Sequence, residues 1–93
     1  MKREWPIAPG KIVRSKAGRD ENRLFVVIAL AGDFAYIADG DTHRIEKPKK
    51  KRVKHLFVTE GMVSGLQGRL EVGGQIENFE LRDALTAYRQ KEE

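Results

Sequence analysis

The sequence predicts a mainly β protein with an α-helical C-terminal part, in which a small five-stranded barrel is followed by two short helices. Several short apolar segments joined by tight turns fall within about 50 residues, which favours a closed barrel over a sandwich of about 100 residues. After Thr59 the apolar spacing becomes helical. With 93 residues in all, we expect one compact domain: a barrel with an N-terminal arm, residues 1–58, and a helical extension packed on it, residues 59–93.

The arm and the first two strands are predicted from the opening thirty residues. Trp5 in the arm is expected to pack against the body, with a base-stacking role as the alternative. Lys11–Ser15 follows a Pro-Gly turn and is the first strand. Leu24–Leu30 is the second, and it is apolar on both faces, so its outer face must be covered by the C-terminal third of the chain. One face carries Leu24, Val26 and Ile28, and the other carries Phe25 and Val27.

Three more strands complete the predicted sheet. Phe34–Ala38 is the third strand, and its Phe34 and Tyr36 share one face, for which core packing is favoured over an aromatic platform for bases. The following Asp-Gly pair suits the positive φ angles of a type I′ hairpin turn. Thr42–Glu46 is therefore expected to return as the fourth strand, and Val53–Val58 to close the sheet as the fifth.

Two helices are predicted after the sheet. Thr59 is placed to cap the first helix, in which glycines weaken the helix by up to about 1 kcal/mol each, so it should form only when docked. Asn78 is the predicted N-cap of the second helix, which should end near Arg89. The apolar stripe of the first helix is Met62, Val63, Leu66 and Leu70, and that of the second helix is Leu81, Ala84, Leu85 and Tyr88.

Positive charge is concentrated in the predicted barrel. Residues 1–58 carry 14 Lys and Arg against 7 Asp and Glu, whereas residues 59–93 carry 4 against 7. The densest segment, Lys47–Lys54, has six positive charges in eight residues. Because Pro48 lacks an N–H and biases its neighbour towards extended backbone, this segment is expected to be a loop or an exposed strand edge. An extended row of cations suits the phosphate backbone of a nucleic acid.

Several segments resemble one family in order and spacing. They are Gly10–Ser15, Ala17–Asp20, Phe25–Val27, Ala38–Asp41, Pro48–Lys51 and Lys54–Leu56. Across residues 8–57 the chain is similar to KOW-type RNA-binding proteins and, more narrowly, to the "fourteen-e" family of large-subunit ribosomal proteins and its short bacterial relatives. The resemblance implies an SH3-like barrel followed by helices, and binding to structured, typically ribosomal, RNA. Asn22 departs from the glycine often found in a KOW motif, but asparagine tolerates the left-handed region.

The expected RNA-binding residues are the basic groups around two loops, the Lys47–Lys54 loop and the loop at Gly18. Lysines act as point charges on phosphate, and arginines can add bidentate contacts. Neutralising about four phosphates would give a slope of log K against log salt of roughly −3 to −4. The full set is Arg14, Lys16, Gly18, Arg19, Arg44, Lys47, Lys49, Lys50, Lys51, Arg52, Lys54 and His55.

Other function classes find little support in the residues. There is no cysteine, which excludes disulfides and thiolate chemistry, and two histidines are too few for a zinc site, so neither a metal nor a cofactor is expected. No nucleophile and base pair stands out, so an enzyme with a small-molecule substrate is the least expected class. The longest apolar run, Leu24–Ala31, is too short to span a bilayer, which needs about 20 residues. We expect a cytoplasmic protein that binds RNA and contacts ribosomal proteins.

One alternative class stays open at this point. Small SH3-like barrels also serve as protein-interaction modules, and the acidic, amphipathic C-terminal segment could dock a protein partner or form a dimer. In that case the lysines would serve solubility alone.

Overall fold

The computed structural model describes residues 5–63 and 65–92, so the first four residues of the predicted arm lie outside the described residues. The described chain forms five strands and two helices. They are β1 (Lys11–Ser15), β2 (Leu24–Ala31), β3 (Phe34–Ala38), β4 (Lys49–Arg52), β5 (Leu56–Met62), α1 (Leu66–Glu71) and α2 (Asn78–Glu92). None of the described helices is both long and apolar enough to cross a membrane.

The strands form one antiparallel sheet in the order β4-β3-β2-β1-β5. This mainly β architecture with a C-terminal helix confirms the coarse fold class and is compatible with a small barrel. The predicted first and third strands have the observed bounds, and the second extends one residue further, to Ala31. The predicted fifth strand starts three residues too early: Val53–His55 is a 3-10 turn that links the two end strands of the sheet, β4 and β5, and β5 begins at Leu56.

The sheet is covered on both faces, as the apolar pattern of β2 predicts. Phe25 and Val27 lie in an inner cluster whose buried members all belong to strands, whereas Leu24 and Val26 lie in an outer cluster that the C-terminal segment covers. The other buried members of the outer cluster are Ile12, Ala38, Leu66, Ile76, Leu81, Leu85 and Tyr88. Helix α2 therefore packs on the outer face of the sheet near the start of β2 and the end of β3.

The predicted fourth strand, Thr42–Glu46, is wrong. The Asp39 carboxylate accepts hydrogen bonds from the N–H groups of Asp41 at 2.9 Å and His43 at 2.8 Å, so a side chain closes this turn and no hairpin ladder follows. The strand that pairs with β3 is β4, which begins at Lys49, nine positions after Gly40. Gly40 itself has φ +78°, and a Cβ there would lie 2.2 Å from the Asn78 carbonyl oxygen.

The first helix is shorter than predicted, because Thr59 does not cap it. Thr59 lies in β5, where its hydroxyl donates to the Ile12 carbonyl at 2.7 Å, beside a register shift between β1 and β5. The buried hydroxyl thus satisfies a backbone acceptor at the irregular part of the ladder. The sheet consequently continues to Met62, four residues beyond the predicted boundary at residue 58, and α1 begins at Leu66.

Asn78 is the first residue of α2 and not its side-chain cap. Its amide oxygen accepts the Ile45 N–H at 2.8 Å, and its amide nitrogen donates to the Glu46 carboxylate at 3.0 Å. Asn78 therefore ties the loop before β4 to the helix. The helix N-terminus is satisfied by Glu80, whose carboxylate accepts the Glu77 N–H at 2.9 Å. The helix ends at Glu92, beyond the predicted end near Arg89.

Candidate nucleic-acid interface

The basic segment forms an edge strand over four of its residues, which is one of the two conformations its sequence predicts. Strand β4 pairs with β3 only, so its other edge is not paired in the sheet. Residues directly opposite each other in a ladder share a face of the sheet. The opposed pairs are Ile37 with Lys49, Ala35 with Lys51, Tyr36 with Lys50, and Phe34 with Arg52. The four cations therefore divide between the two faces.

The inner face of β4 carries the lysine–aspartate cluster, which consists of Asp20, Lys49 and Lys51. The Lys49 ammonium donates to the Asp20 carboxylate, and the Lys51 ammonium lies 3.9 Å from the same carboxylate. Lys51 also donates to the Ala17 carbonyl at 3.0 Å, and its side chain is only 10% exposed. These two lysines hold the 3-10 turn Gly18–Asp20 against β4, so part of their charge is already matched within the protein.

The electrostatics of this cluster follow from its contacts. The hydrogen bond from Lys49 lowers the pKa of the Asp20 carboxyl below its ordinary value, with help from the positive charges of Lys49 and Lys51 and against the effect of burial. Asp20 therefore stays ionised at neutral pH and remains a partner for both lysines.

The outer face of β4 carries the aromatic–basic face, defined as Phe34, Tyr36, Lys50 and Arg52. The Lys50 ammonium lies 4.4 Å from the centroid of the Phe34 ring, and the Arg52 guanidinium lies 4.9 Å from it. Both cations are exposed, and no carboxylate among the described residues pairs with them. Cation–π contacts position these groups without neutralising their charge.

The aromatic–basic face is the part of the outer sheet surface that α2 leaves uncovered. Ala38 lies in the outer cluster beneath the helix, but neither Phe34 nor Tyr36 belongs to either core cluster of the described chain. Both rings are partly exposed, and the residues of β2 opposite them, Ala29 and Ala31, are small and exposed. The expectation that the two aromatic rings pack in the core is therefore wrong.

The two predicted binding loops are neighbours in the structure. The Lys16 N–H donates to the His55 carbonyl at 2.8 Å, which joins the start of the Gly18 loop to the turn after β4. Gly18 has φ +83°, and Asn22 has φ +73°. Asn22 thus adopts the left-handed conformation that the sequence predicts at this departure from the KOW pattern.

The remaining predicted site residues differ in position. Arg19 and Lys54 are exposed beside the two loops, and Arg44 and Lys47 are exposed in the loop before β4, where Arg44 lies 3.8 Å from Glu46. Arg14 is apart from this group, because its guanidinium pairs with Glu92 at 2.7 Å at the end of α2.

Two contributors to the site were missed from the sequence. Asp20 determines which lysines are held, and Phe34 positions Lys50 and Arg52, yet neither was among the expected binding residues. The available signal was the alternation of a strand: had Lys49–Arg52 been assigned to β4, two cations would have been expected on each face.

No protein-family model matches this sequence, and no curated protein matches it either. The resemblance to KOW-type proteins accordingly stays a prediction.

Proposed function

We propose that this chain is a non-enzymatic, cytoplasmic RNA-binding module of the SH3-like, KOW type that associates with ribosomal or other structured RNA. The observation that carries the proposal is the aromatic–basic face, where two exposed cations flank an aromatic ring and, within residues 5–63 and 65–92, have no carboxylate partner and lie on sheet surface that α2 does not cover. Surplus charge beside a partly exposed ring suits a ligand that is both anionic and aromatic, as RNA is.

Two features of the fold support the finer assignment. The sheet order β4-β3-β2-β1-β5, with a 3-10 turn between β4 and β5, suits an SH3-like barrel. The left-handed Asn22 keeps the loop conformation for which a KOW motif often uses glycine.

The expected chemistry divides among the residues of the face. Lys50 would act as a point charge on phosphate, and Arg52 would add a bidentate contact. The neighbouring exposed cations Lys47, Lys54 and Arg19 would extend the contact along the backbone, which supplies affinity without sequence information. Because side chains do not enter the A-form major groove, recognition would depend on shape and on unstacked loop bases.

The direct test is the double variant Lys50→Gln/Arg52→Gln. We expect its affinity for a structured ribosomal RNA fragment to fall about tenfold at moderate salt, because two phosphate contacts are lost. The slope of log K against log salt should become shallower by about 1.5 for the same reason. Fluorescence anisotropy at four or more salt concentrations measures both quantities.

The control is a charge-matched pair of single variants. Lys50→Gln and Lys91→Gln each remove one positive charge, but Lys91 lies at the far end of α2, in a groove with Glu60 and Tyr88. Lys50→Gln should weaken binding severalfold and Lys91→Gln less than twofold, with thermal unfolding unchanged in both. Equal effects of the two variants would reduce the proposal to non-specific charge attraction.

Association with the ribosome has a separate test. In a cell lysate fractionated on a sucrose gradient, we expect the chain to travel with the large subunit and to leave it at high salt. A chain that stays at the top of a low-salt gradient would remove the ribosomal part of the proposal while leaving RNA binding to the affinity measurements.

A protein-interaction module is the second candidate function, favoured by exposed apolar residues in the C-terminal part. Val72 is 82% exposed and Phe79 is 53% exposed, and such residues contribute to protein interfaces more than to phosphate contacts. Affinity capture with and without nuclease separates the candidates, because partners held through RNA are released by nuclease and direct protein partners remain.

A further inference from the structure

A second basic surface lies on the helical side of the molecule. A groove of about 430 Å³ runs between α2 and the two turns that precede β2 and follow β3, and four arginines line it. We call it the arginine groove and define it by Arg14, Arg23, Arg82 and Arg89. These residues come from β1, the start of β2 and two successive parts of α2, so the folded chain alone brings them together.

Two of the four arginines are neutralised within the protein. Arg14 pairs with Glu92 at 2.7 Å, and Arg23 pairs with Asp39 at 3.2 Å. Asp39 is itself buried and accepts two backbone N–H groups, so its carboxylate is fully engaged. These pairs form the walls of the groove and contribute no surplus charge.

The other two arginines have no carboxylate partner among the described residues. Arg82 donates to the Gly40 carbonyl at 2.7 Å, which is a neutral acceptor and leaves the positive charge unmatched. Arg89 is exposed and makes no hydrogen bond or ion pair with the described chain. The two lie seven residues apart on α2 and thus on the same side of the helix. Asp41, exposed at the rim, is the remaining acid of the lining.

We propose that the arginine groove binds a phosphate group through Arg82 and Arg89. Guanidinium groups match phosphate oxygens with paired N–H donors, and the groove already fixes Arg82 by its bond to Gly40. Arg82 and Arg89 belong to the segment that is acidic overall, residues 59–93, and the arginine groove shares no lining residue with the aromatic–basic face. The phosphate belongs either to an RNA backbone or to a small phosphorylated molecule, which offer the same chemistry.

The test is a titration of the isotope-labelled chain with inorganic phosphate at constant ionic strength, read by NMR at the arginine Nε–H signals. The signals of Arg82 and Arg89 should shift in a saturable way. Arg89→Gln should weaken phosphate binding about tenfold, because one charge-assisted contact is lost. Lys91→Gln, which removes the same charge from the same helix on another groove, should change binding less than twofold.

A second experiment measures the binding of a structured RNA fragment to the same two variants. If Arg89→Gln weakens RNA binding more than Lys91→Gln does, the phosphate is part of the RNA; if RNA affinity is unchanged while phosphate binding falls, a small phosphorylated molecule is the ligand. Both outcomes support the site. Absence of a saturable shift at Arg82 and Arg89, or equal losses in the two variants, would overturn it, whether or not the aromatic–basic face binds RNA.

Discussion

The two faces of β4 carry the same kind of charge in different surroundings. On the inner face, Lys49 and Lys51 lie against Asp20, and Lys51 is almost fully buried. On the outer face, Lys50 and Arg52 are exposed over the Phe34 ring. Four consecutive cations are therefore not equivalent, because strand alternation sends each pair to a different environment. The charge available to a ligand thus depends on strand register as well as on the number of lysines.

The two faces of β4 are therefore expected to have separate roles, one in stability and one in RNA binding. We expect substitutions on the inner face to change stability and those on the outer face to change affinity.

The largest expected effect is on stability, from Asp20→Ala. The variant leaves two lysines without their carboxylate, and removing one partner of a buried pair is strongly destabilising. Because the Lys49 side chain is 32% exposed, solvent reduces the loss, and we expect about 2 kcal/mol. For a domain of this size the melting temperature should fall by roughly 8–16 °C, measured by circular dichroism.

RNA affinity is the control for Asp20→Ala. Measured well below the melting temperature, affinity should stay the same or rise slightly, since a negative charge is removed near the basic segment. A large loss of affinity in a folded Asp20→Ala variant would mean that the inner lysines, held in place by Asp20, contact RNA themselves.

A smaller effect is expected on the acid side of the stability curve. The hydrogen bond from Lys49 lowers the pKa of Asp20 in the folded chain below its ordinary value of 3.8. The resulting stability is fully present above that value and is lost as the pH falls through the folded-state pKa. Wild type should therefore lose stability below about pH 4 more steeply than Asp20→Asn.

The comparison with Asp20→Asn isolates this one carboxyl. Hydrogen bonds also lower the pKa values of Glu46, Glu60 and Glu80, but these residues are present in both proteins. Urea unfolding at several pH values between neutrality and pH 3 measures the difference. Parallel curves for the two proteins would show that the Asp20 pair contributes nothing to folding.

Gly18→Ala is expected to cost less, about 1 kcal/mol, because alanine is disfavoured at φ +83°. A Cβ at this position would lie 3.7 Å from the Lys51 ammonium, which is ordinary contact, so the strain comes from the backbone alone. Thermal unfolding measures the loss, and RNA affinity should not change. A variant of normal stability with tenfold weaker RNA binding would instead show that the ligand approaches the Gly18 backbone.

The sequence predicts the fold best where apolar residues determine it. The double-sided apolar pattern of β2 correctly predicts both a strand and a covering C-terminal segment, because each face must be buried. The pattern also places Leu24 and Val26 on one face and Phe25 and Val27 on the other, and the two pairs belong to different core clusters. Such positions have one low-energy arrangement, so the periodicity of apolar residues is enough to predict them.

The polar parts of the fold are harder to predict because their partners are distant in sequence. The sequence predicts a hairpin turn at Asp39, but the Asp39 carboxylate accepts two backbone N–H groups. The Asn78 side chain, 33 residues after Ile45, holds the same loop. The sequence predicts a helix cap at Thr59, yet its hydroxyl donates a hydrogen bond to the Ile12 carbonyl. Local propensity contains no information about such contacts.

The candidate site has the same limitation. The sequence locates the basic segment and its neighbour, the Gly18 loop, but treats their charges as one row. Only the register with β3 shows that Lys50 and Arg52 share a face with Phe34, and only the fold places Asp20 beneath Lys49. The pairing of strands therefore determines which charges share a face, and composition contains no information about this.

The smallest expected effect is on affinity, from Phe34→Leu. Leucine keeps apolar contact with its neighbours but removes the ring that holds Lys50 and Arg52 in place and that a base could stack on. We expect about threefold weaker RNA binding with an unchanged salt slope, since no charge is lost. Tyr36→Leu, on the same face and opposite Lys50, is the matched control and should have the weaker effect, because neither cation contacts its ring in the described structure. If Phe34→Leu left affinity unchanged while Lys50→Gln lowered it, the outer face would act through charge alone, and the ring would only support the strand.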